Sequence, residues 1–396
     1  MIVKPARREG GVPGIYLDHA ATTPLRPEVK EAMAPYLDDR FGNPSSIHAW
    51  GREARAALEE ARERVAAAVG AARREIIFTG GGTEADNLAV LGRWRVTRRS
   101  LGSAAVVCSA VEHKAVLNAV LQAGEEGAQV VILGVDGDGR LELGALEEVL
   151  PLRPAVVSVM WGNNEVGTIQ PVPEAAGRCR AAGVVFHTDA VQAFGRLRVR
   201  VDEVPLDLLS LSAHKLGGPK GIGALYVRAG VQLEPLTHGG GQESGMRPGT
   251  QNVPAAVGFA RAAELAVEQL ERNVAHYRAL RDRLEAGLRE RIPDLVVNAG
   301  GAPRLPHLLN VSLPGVDQEM VLVSLDLEGV AVSSGSACQS GTVEPSAVLM
   351  AMGRAQPGEA SLRLSLGLAT TAAEIERALE IVPRVVSRVR AVAETS

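Results

Sequence analysis

The chain has 396 residues, 46% of them hydrophobic, and a formal charge of −4 from 42 Lys and Arg against 46 Asp and Glu. That length exceeds what one compact core usually holds, so two domains are expected, and basic residues this scattered argue against direct nucleic-acid binding. Cys108, Cys179 and Cys338 are too few and too dispersed for a disulfide scaffold or a metal site and suit a reducing cytoplasm, and no stretch nears the roughly 20 apolar residues of a membrane span.

Residues 1–14 contain Pro and Gly but no apolar run of signal-peptide length, and read as a flexible tail. The stretch 53–68 has helical period. Residues 75–79 read as a buried strand entering Gly80-Gly-Gly82, and a helix begins at Thr83 or Glu84. The alternation repeats with strand 104–109, helix 113–122, strand 129–133, helix 142–150, strand 155–160, helix 172–182 and strand 183–187. Strands 206–210 and 222–227 follow. Repeated β-α units imply an α/β domain with a mostly parallel sheet covered on both faces. After the loop from His238 to Gly249, one long helical tract, 255–291, leads to a second unit. That unit reads β-α-β-α-β-α, with strands 307–313, 331–333 and 361–366 and helices 318–327, 345–351 and 372–392. The expected organisation is a tail (1–14), a large domain (15–254), and a bridging helix with a smaller C-terminal α/β domain (255–396).

Ligands of open parallel sheets bind beyond the carboxyl ends of the strands. Gly82, Thr83, His113, Asn164, Asp189, Gln192, Ser212 and Lys215 each fall just after a predicted strand, so one rim collects them. Lys215 follows the apolar run 205–212 and precedes Gly217-Gly-Pro-Lys-Gly-Ile-Gly223. It is either a surface lysine before a turn or an amine whose desolvation lowers its pKa, suited to a Schiff base with a carbonyl compound such as pyridoxal phosphate. Gly80 to Thr83 before a helix offers an anion site or simply a packing turn. Asp189 suits the protonated ring nitrogen of that cofactor or a helix N-cap. Asn164 and Gln192 suit its ring oxygen or the local backbone, and His113 suits stacking and proton transfer or capping. Ser212 and His214 flank Lys215 within reach of the same phosphate, or pack the turn.

Two features lie in the second unit. Cys338 sits in the small polar stretch Ser333-Ser-Gly-Ser-Ala-Cys-Gln-Ser-Gly-Thr342, where exposure argues that its nucleophilicity is used. Cys108 and Cys179 read as packing residues. Arg363 interrupts an apolar strand, a placement suited to bidentate capture of a carboxylate or to an internal salt bridge.

Taken together, the chain resembles the cysteine desulfurases of the NifS/IscS type, within the class V aminotransferases, over nearly its whole length. The resemblance rests on Tyr16-Leu-Asp-His-Ala-Ala-Thr-Thr-Pro24, Phe41-Gly-Asn-Pro-Ser45, Gly82-Thr-Glu-Ala-Asp-Asn87, Glu112-His-Lys114 and Asn163-Asn-Glu165. It rests further on His187-Thr-Asp-Ala-Val-Gln192, Ser212-Ala-His-Lys215, Arg247-Pro-Gly-Thr250 and the Ser333 to Cys338 loop. It implies the pyridoxal-phosphate-dependent transferase fold type I (aspartate aminotransferase-like) and conversion of L-cysteine to L-alanine. Lys215 would form the Schiff base, and Gly82, Thr83, Ser212 and His214 would hold the phosphate, with Thr250 completing the cup of a neighbouring subunit in a homodimer. His113 would stack on the ring, Asp189 pair with its nitrogen, Asn164 and Gln192 contact its oxygen, and Asn43 and Arg363 hold the substrate carboxylate.

Cys338 would take the sulfur as a persulfide, carried on a mobile loop (333–344) of the long form that the family uses for delivery to an iron–sulfur scaffold. Transfer-RNA thiolation or a thiamine-pathway carrier are other outlets for that sulfur. A cytoplasmic protein serving iron–sulfur metal centres without a resident metal is the expectation. Selenocysteine lyase, a pyridoxal-phosphate aminotransferase and a non-catalytic cofactor-binding scaffold are the alternatives. The pattern departs from many relatives at Trp161-Gly162 and from some at Gln339, Gly341 and Thr342.

Overall fold

Strands that are apolar from end to end form where both faces of a sheet are covered. Val106, Val107 and Cys108, Val156 and Val157, and Leu208, Leu209 and Leu211 are all buried in this way. The computed structural model describes residues 14–102, 104–335, 346–356 and 358–393. Its first half holds β1 (Ile15–Tyr16), α1 (Pro27–Leu37), α2 (Ala49–Val69), β2 (Ile76–Thr79), α3 (Gly82–Leu101), β3 (Ala105–Ser109), α4 (Lys114–Glu125), β4 (Gln129–Leu133), α5 (Leu143–Val149), β5 (Val156–Ser158), α6 (Val172–Ala181) and β6 (Phe186–Asp189). There follow β7 (Leu208–Ser212), β8 (Gly223–Val227), α7 (Val253–Glu268), α8 (Leu270–Arg291), β9 (Val296–Val297), β10 (Leu308–Pro314), α9 (Gln318–Leu327), β11 (Val330–Ala331), α10 (Ala347–Ala351), β12 (Glu359–Ser365) and α11 (Ala372–Ala393).

Seven strands form one sheet in the order β2-β8-β7-β6-β5-β3-β4. From β7 to β4 the neighbours are parallel, and β8 runs antiparallel to both β7 and β2. The sheet is therefore the mostly parallel α/β sheet that the resemblance implies. All five parallel strands point their carboxyl ends the same way, and the candidate residues lie there.

The tract 255–291, expected as one helix, is two. Gln269 (φ −110, ψ 11) both ends α7 and begins α8. Its side-chain oxygen accepts from Arg26 (3.1 Å) and Arg272 (2.9 Å), which fixes the break. The two helices bury different faces: Phe259 and Ala263 of α7 join the core of the seven-stranded sheet, whereas Leu284 and Leu288 of α8 join a second core. That second core covers an antiparallel sheet, β12-β10-β9, in which Arg363 faces Asn310. The strand expected at 331–333 is shorter and pairs elsewhere: β11 lies parallel to β1, so Ile15 and Leu17 from the start of the chain pack in the second core. Helix α1 escapes the periodicity reading because only Val29 of its residues is buried, and Pro27 starts it.

Candidate active site

One cavity of about 440 Å3 opens at the carboxyl edge of the parallel strands. Gly82, Thr83, His113, Asn164, Asp189, Gln192, Ser212, His214, Lys215 and Arg363 all line it. Of the other residues singled out by sequence, Asn43 and Thr250 are exposed and do not line it. Cys338 lies outside the described residues, as do residues 1–13 of the expected tail and 336–344 of the expected loop. Cys108 and Cys179 are buried, and burial pushes the Cys179 thiol up to about 12.

Lys215 closes a short 3-10 turn, Ala213–Lys215, directly after β7. Gly218 N–H donates to the Ala213 carbonyl at 3.0 Å, and a Cβ on Gly218 would lie 2.8 Å from that oxygen, so glycine is what lets the turn close. The Nζ donates to the carbonyls of Ala20 (2.5 Å) and Ala21 (2.8 Å). Burial is the main cause holding its pKa down at about 8, helped by the positive charges of Arg363 and Arg196 and opposed by Asp189 and Asp18. At pH 7 about a tenth of the amine is therefore neutral.

The anion cradle is backbone. Gly81, the residue before α3, has φ 156 and ψ −177, a combination essentially reserved for glycine, and no side chain caps the helix. The first-turn N–H groups of α3 and its positive dipole end therefore face an adjoining space lined by Thr83, Ser212, His214 and Lys220. A Cβ on Gly82 would meet Val191 at 2.8 Å. Glu84, in the same turn, accepts from Gly80 N–H at 2.5 Å and pairs with Arg247 at 3.2 Å.

Buried acids crowd the other wall. Asp189 accepts from Val191 N–H at 2.8 Å, and burial raises its pKa while His113 and Lys215 oppose the rise. His113 caps α4 by accepting from Ala115 N–H at 3.1 Å, and burial lowers its pKa. Its capping and cavity-lining roles therefore coexist. Gln192 Nε2 donates to the Ala20 carbonyl at 2.8 Å, leaving Oε1 buried and without a hydrogen-bond partner among the described residues.

Sequence reasoning gave no role to Asp86 or Glu112, although both lie in quoted motifs. Asp86 lines the cavity, with its carboxyl pushed well up by burial and by Asp189. Glu112 is pushed up to about 8 by burial and accepts from the Ser109 hydroxyl (2.6 Å) and Met160 N–H (2.7 Å). Ligand atoms of Asp86, His113 and Asp189 lie within 4.8 Å of one another. His187 approaches Asp86 at 3.7 Å, but burial holds the ring at about 3, so it is neutral between Ser158 and Ser210 and this contact is not an ion pair.

Arg363 reaches the cavity from β12. One Nη donates to the Asn164 carbonyl (2.9 Å), the other to Asp18 (2.8 Å), and Nε has no partner among the described residues. The internal salt bridge foreseen as the alternative thus exists and leaves a donor over. Glu165, beside Asn164, accepts from the Ser346 hydroxyl at 2.5 Å, and burial raises its pKa. Trp161 is buried, and a Cβ on Gly162 would strike Leu305, which explains the glycine there by packing.

The exposed loop that carries Thr250 is anchored from below. Glu243 and Ser244 take left-handed φ values of 48 and 56. Glu243 is buried, accepts two hydrogen bonds from Arg62 (2.5 and 2.7 Å) and one from Phe78 N–H (2.8 Å).

Comparison with known proteins places the chain further. Residues 15–378 match the aminotransferase class-V family. The chain is 44% identical over 379 residues to the cysteine desulfurase IscS of Dictyoglomus turgidum, covering 96% of both chains. It is 46% identical over 376 residues to the putative cysteine desulfurase IscS 1 of Bacillus subtilis, covering 94% of this chain and 99% of that one. Among solved structures, a NifS-like protein superposes with a TM-score of 0.87 at 35% identity, over 95% of this chain and 100% of that one.

Proposed function

The chain belongs to the class-V aminotransferase family and is a cysteine desulfurase within it, and we propose that it uses pyridoxal 5'-phosphate to convert L-cysteine to L-alanine and passes the sulfur to Cys338 as a persulfide. The observation that carries the reading is Lys215: a desolvated amine with a pKa of about 8, sharing one cavity with Asp189, His113 and Arg363.

The residues present fit the cofactor. Gly81, Gly82 and Thr83 with Ser212 and His214 form the phosphate cradle, and Asp189 is a buried acid awaiting a cationic N–H. Asn164 and Gln192 line the same cavity and would contact the ring, where Gln192 Oε1 offers an acceptor. When bound, the cofactor supplies an electron sink for the carbon framework of the substrate. The Lys215 Nζ would hold it covalently and move protons, and His113 would stack on it. Arg363, with the unpartnered Nε, would bind the substrate carboxylate.

Thr250, exposed and outside the cavity of its own chain, reaches the phosphate in a second copy within a homodimer. An iron–sulfur scaffold or another acceptor protein takes the sulfur from Cys338, in the cytoplasm. No helix among the described residues is long and apolar enough to cross a membrane. The test is alanine and sulfide production from L-cysteine, with dithiothreitol present to reduce the persulfide and release sulfide, by the wild type, Lys215→Ala and Cys338→Ala. Equimolar products abolished by either change support the reading. Keto-acid formation without sulfide would make the protein an aminotransferase instead.

A further inference from the structure

A second cavity, of about 530 Å3, shares only Lys215 with the first. Its walls come from both halves of the molecule: Thr23 to Glu28, Arg196 and Leu216 on one side, and Arg272, Tyr277 and Ala369 on the other. The volume is typical of small-molecule sites, and much of the wall is aliphatic, with Leu25, Leu216, Ala266 and Leu368.

The polar groups converging there are cationic and short of partners. Arg196 is only 4% exposed, yet it makes no ion pair among the described residues. Its Nη groups donate to the main-chain carbonyls of Lys215 (2.8 Å) and Phe194 (3.4 Å), and its Nε is unpartnered. Arg272 likewise has no ion pair among the described residues and donates only to Gln269 at 2.9 Å. Arg26 is matched by Glu28 at 3.1 Å. His276 Nε2 and His19 Nδ1 are also buried without partners. A guanidinium keeps its charge in a protein, and a buried one without a counter-ion is costly.

We propose that this cavity is a second binding site, distinct from the desulfurase site, for a small organic anion whose acidic group pairs with Arg196 and Arg272 and whose apolar body packs on Leu25, Leu216 and Leu368. Because Arg196 also holds the main-chain carbonyl of Lys215, an occupant would sit one hydrogen bond from the residue that carries the chemistry.

The probe is naphthalene-1-sulfonate, titrated calorimetrically into the cofactor-loaded protein, with naphthalene-1-sulfonamide as the uncharged match. The expected result is one saturable site per chain, with the sulfonamide at least about tenfold weaker. Arg272→Glu, at an exposed position, should weaken the sulfonate at least about tenfold, Ala369→Trp should abolish binding by filling the cavity, and Arg363→Ala should leave it unchanged. Thermal melting checks that the variants fold; should Ala369→Trp not fold, Arg272→Glu still decides. No saturable binding, or binding indifferent to Arg272→Glu, overturns the proposal. So does binding that is lost in Arg363→Ala while kept in Ala369→Trp, which would put the anion in the first cavity.

Discussion

The two cavities that meet at Lys215 carry opposite charge problems. In front, the cavity-lining Asp86 and Asp189, with Glu112 buried close by, are acids deprived of water, and each has its pKa raised. Behind, Arg196 is a guanidinium deprived of both water and a carboxylate, and burial lowers its pKa. Lys215 is poised between them: the front acid Asp189 favours its ammonium, while Arg196 and Arg363 disfavour it. A lysine amine usable near neutrality thus results from burial, trimmed by charges on two sides, rather than from any one neighbour.

Removing the shared residue breaks the comparison altogether. Lys215→Ala should reduce alanine formation from cysteine by more than about a hundredfold, because the nucleophile and the proton carrier go together. Activity within tenfold of wild type would deny Lys215 its role.

Arg363 sharpens the front side. Its Nε is spare, but its Nη groups are engaged by Asp18 and Asn164. Arg363→Ala should lower kcat/KM for cysteine by about ten- to a hundredfold, the worth of a charge-assisted pair, with KM carrying most of the change. An unchanged KM would mean that the arginine only anchors Asp18.

Glu112 tests whether the front acids are held protonated. Its folded pKa of about 8 lies above the ordinary 4.5, so the folded protein keeps the proton where the unfolded chain has lost it. Its contribution to stability is full below about 4.5 and drains away as pH rises to about 8, by at most about 1.4 kcal/mol per pH unit. Glu112→Gln keeps the acceptor for Ser109 and Met160 and removes the drain. The variant should melt close to wild type at pH 4.5 and above it at pH 8. Equal melting at both would mean that Glu112 is ionised in the fold.

What was legible in the sequence follows the same division. Lys215, Asp189 and His113 declared themselves because each follows an apolar strand, and strand ends of a parallel sheet share one rim. Asp86 and Glu112 did not, since an acid on a helix or in a turn looks solvated until distant strands bury it. The rear cavity was invisible: residues 23–28, 196, 272 and 369 meet only through folding. The break at Gln269 was hidden because apolar spacing continues across it, while α7 and α8 turn to different cores. The pairing of β1 with β11 was hidden because each strand is two residues long. Cys338 was conspicuous for lying among small polar residues, and it falls outside the described residues.

The smallest effect is the one that links the two sides. Cofactor loading of the apoprotein should require neutral Lys215, so its rate should rise through about pH 8 and level off above. Arg196 lies on the far side and contributes less than Arg363 to holding that pKa down. Arg196→Gln should therefore move the rise to higher pH by less than about one unit, and by less than Arg363→Gln does. The sign is fixed: removing a positive neighbour favours the ammonium, which raises the pKa and makes the amine available only at higher pH. No shift would mean that the rear charge is screened from Nζ. The main-chain hydrogen bond from Arg196 to Lys215 would then be all that couples the two cavities.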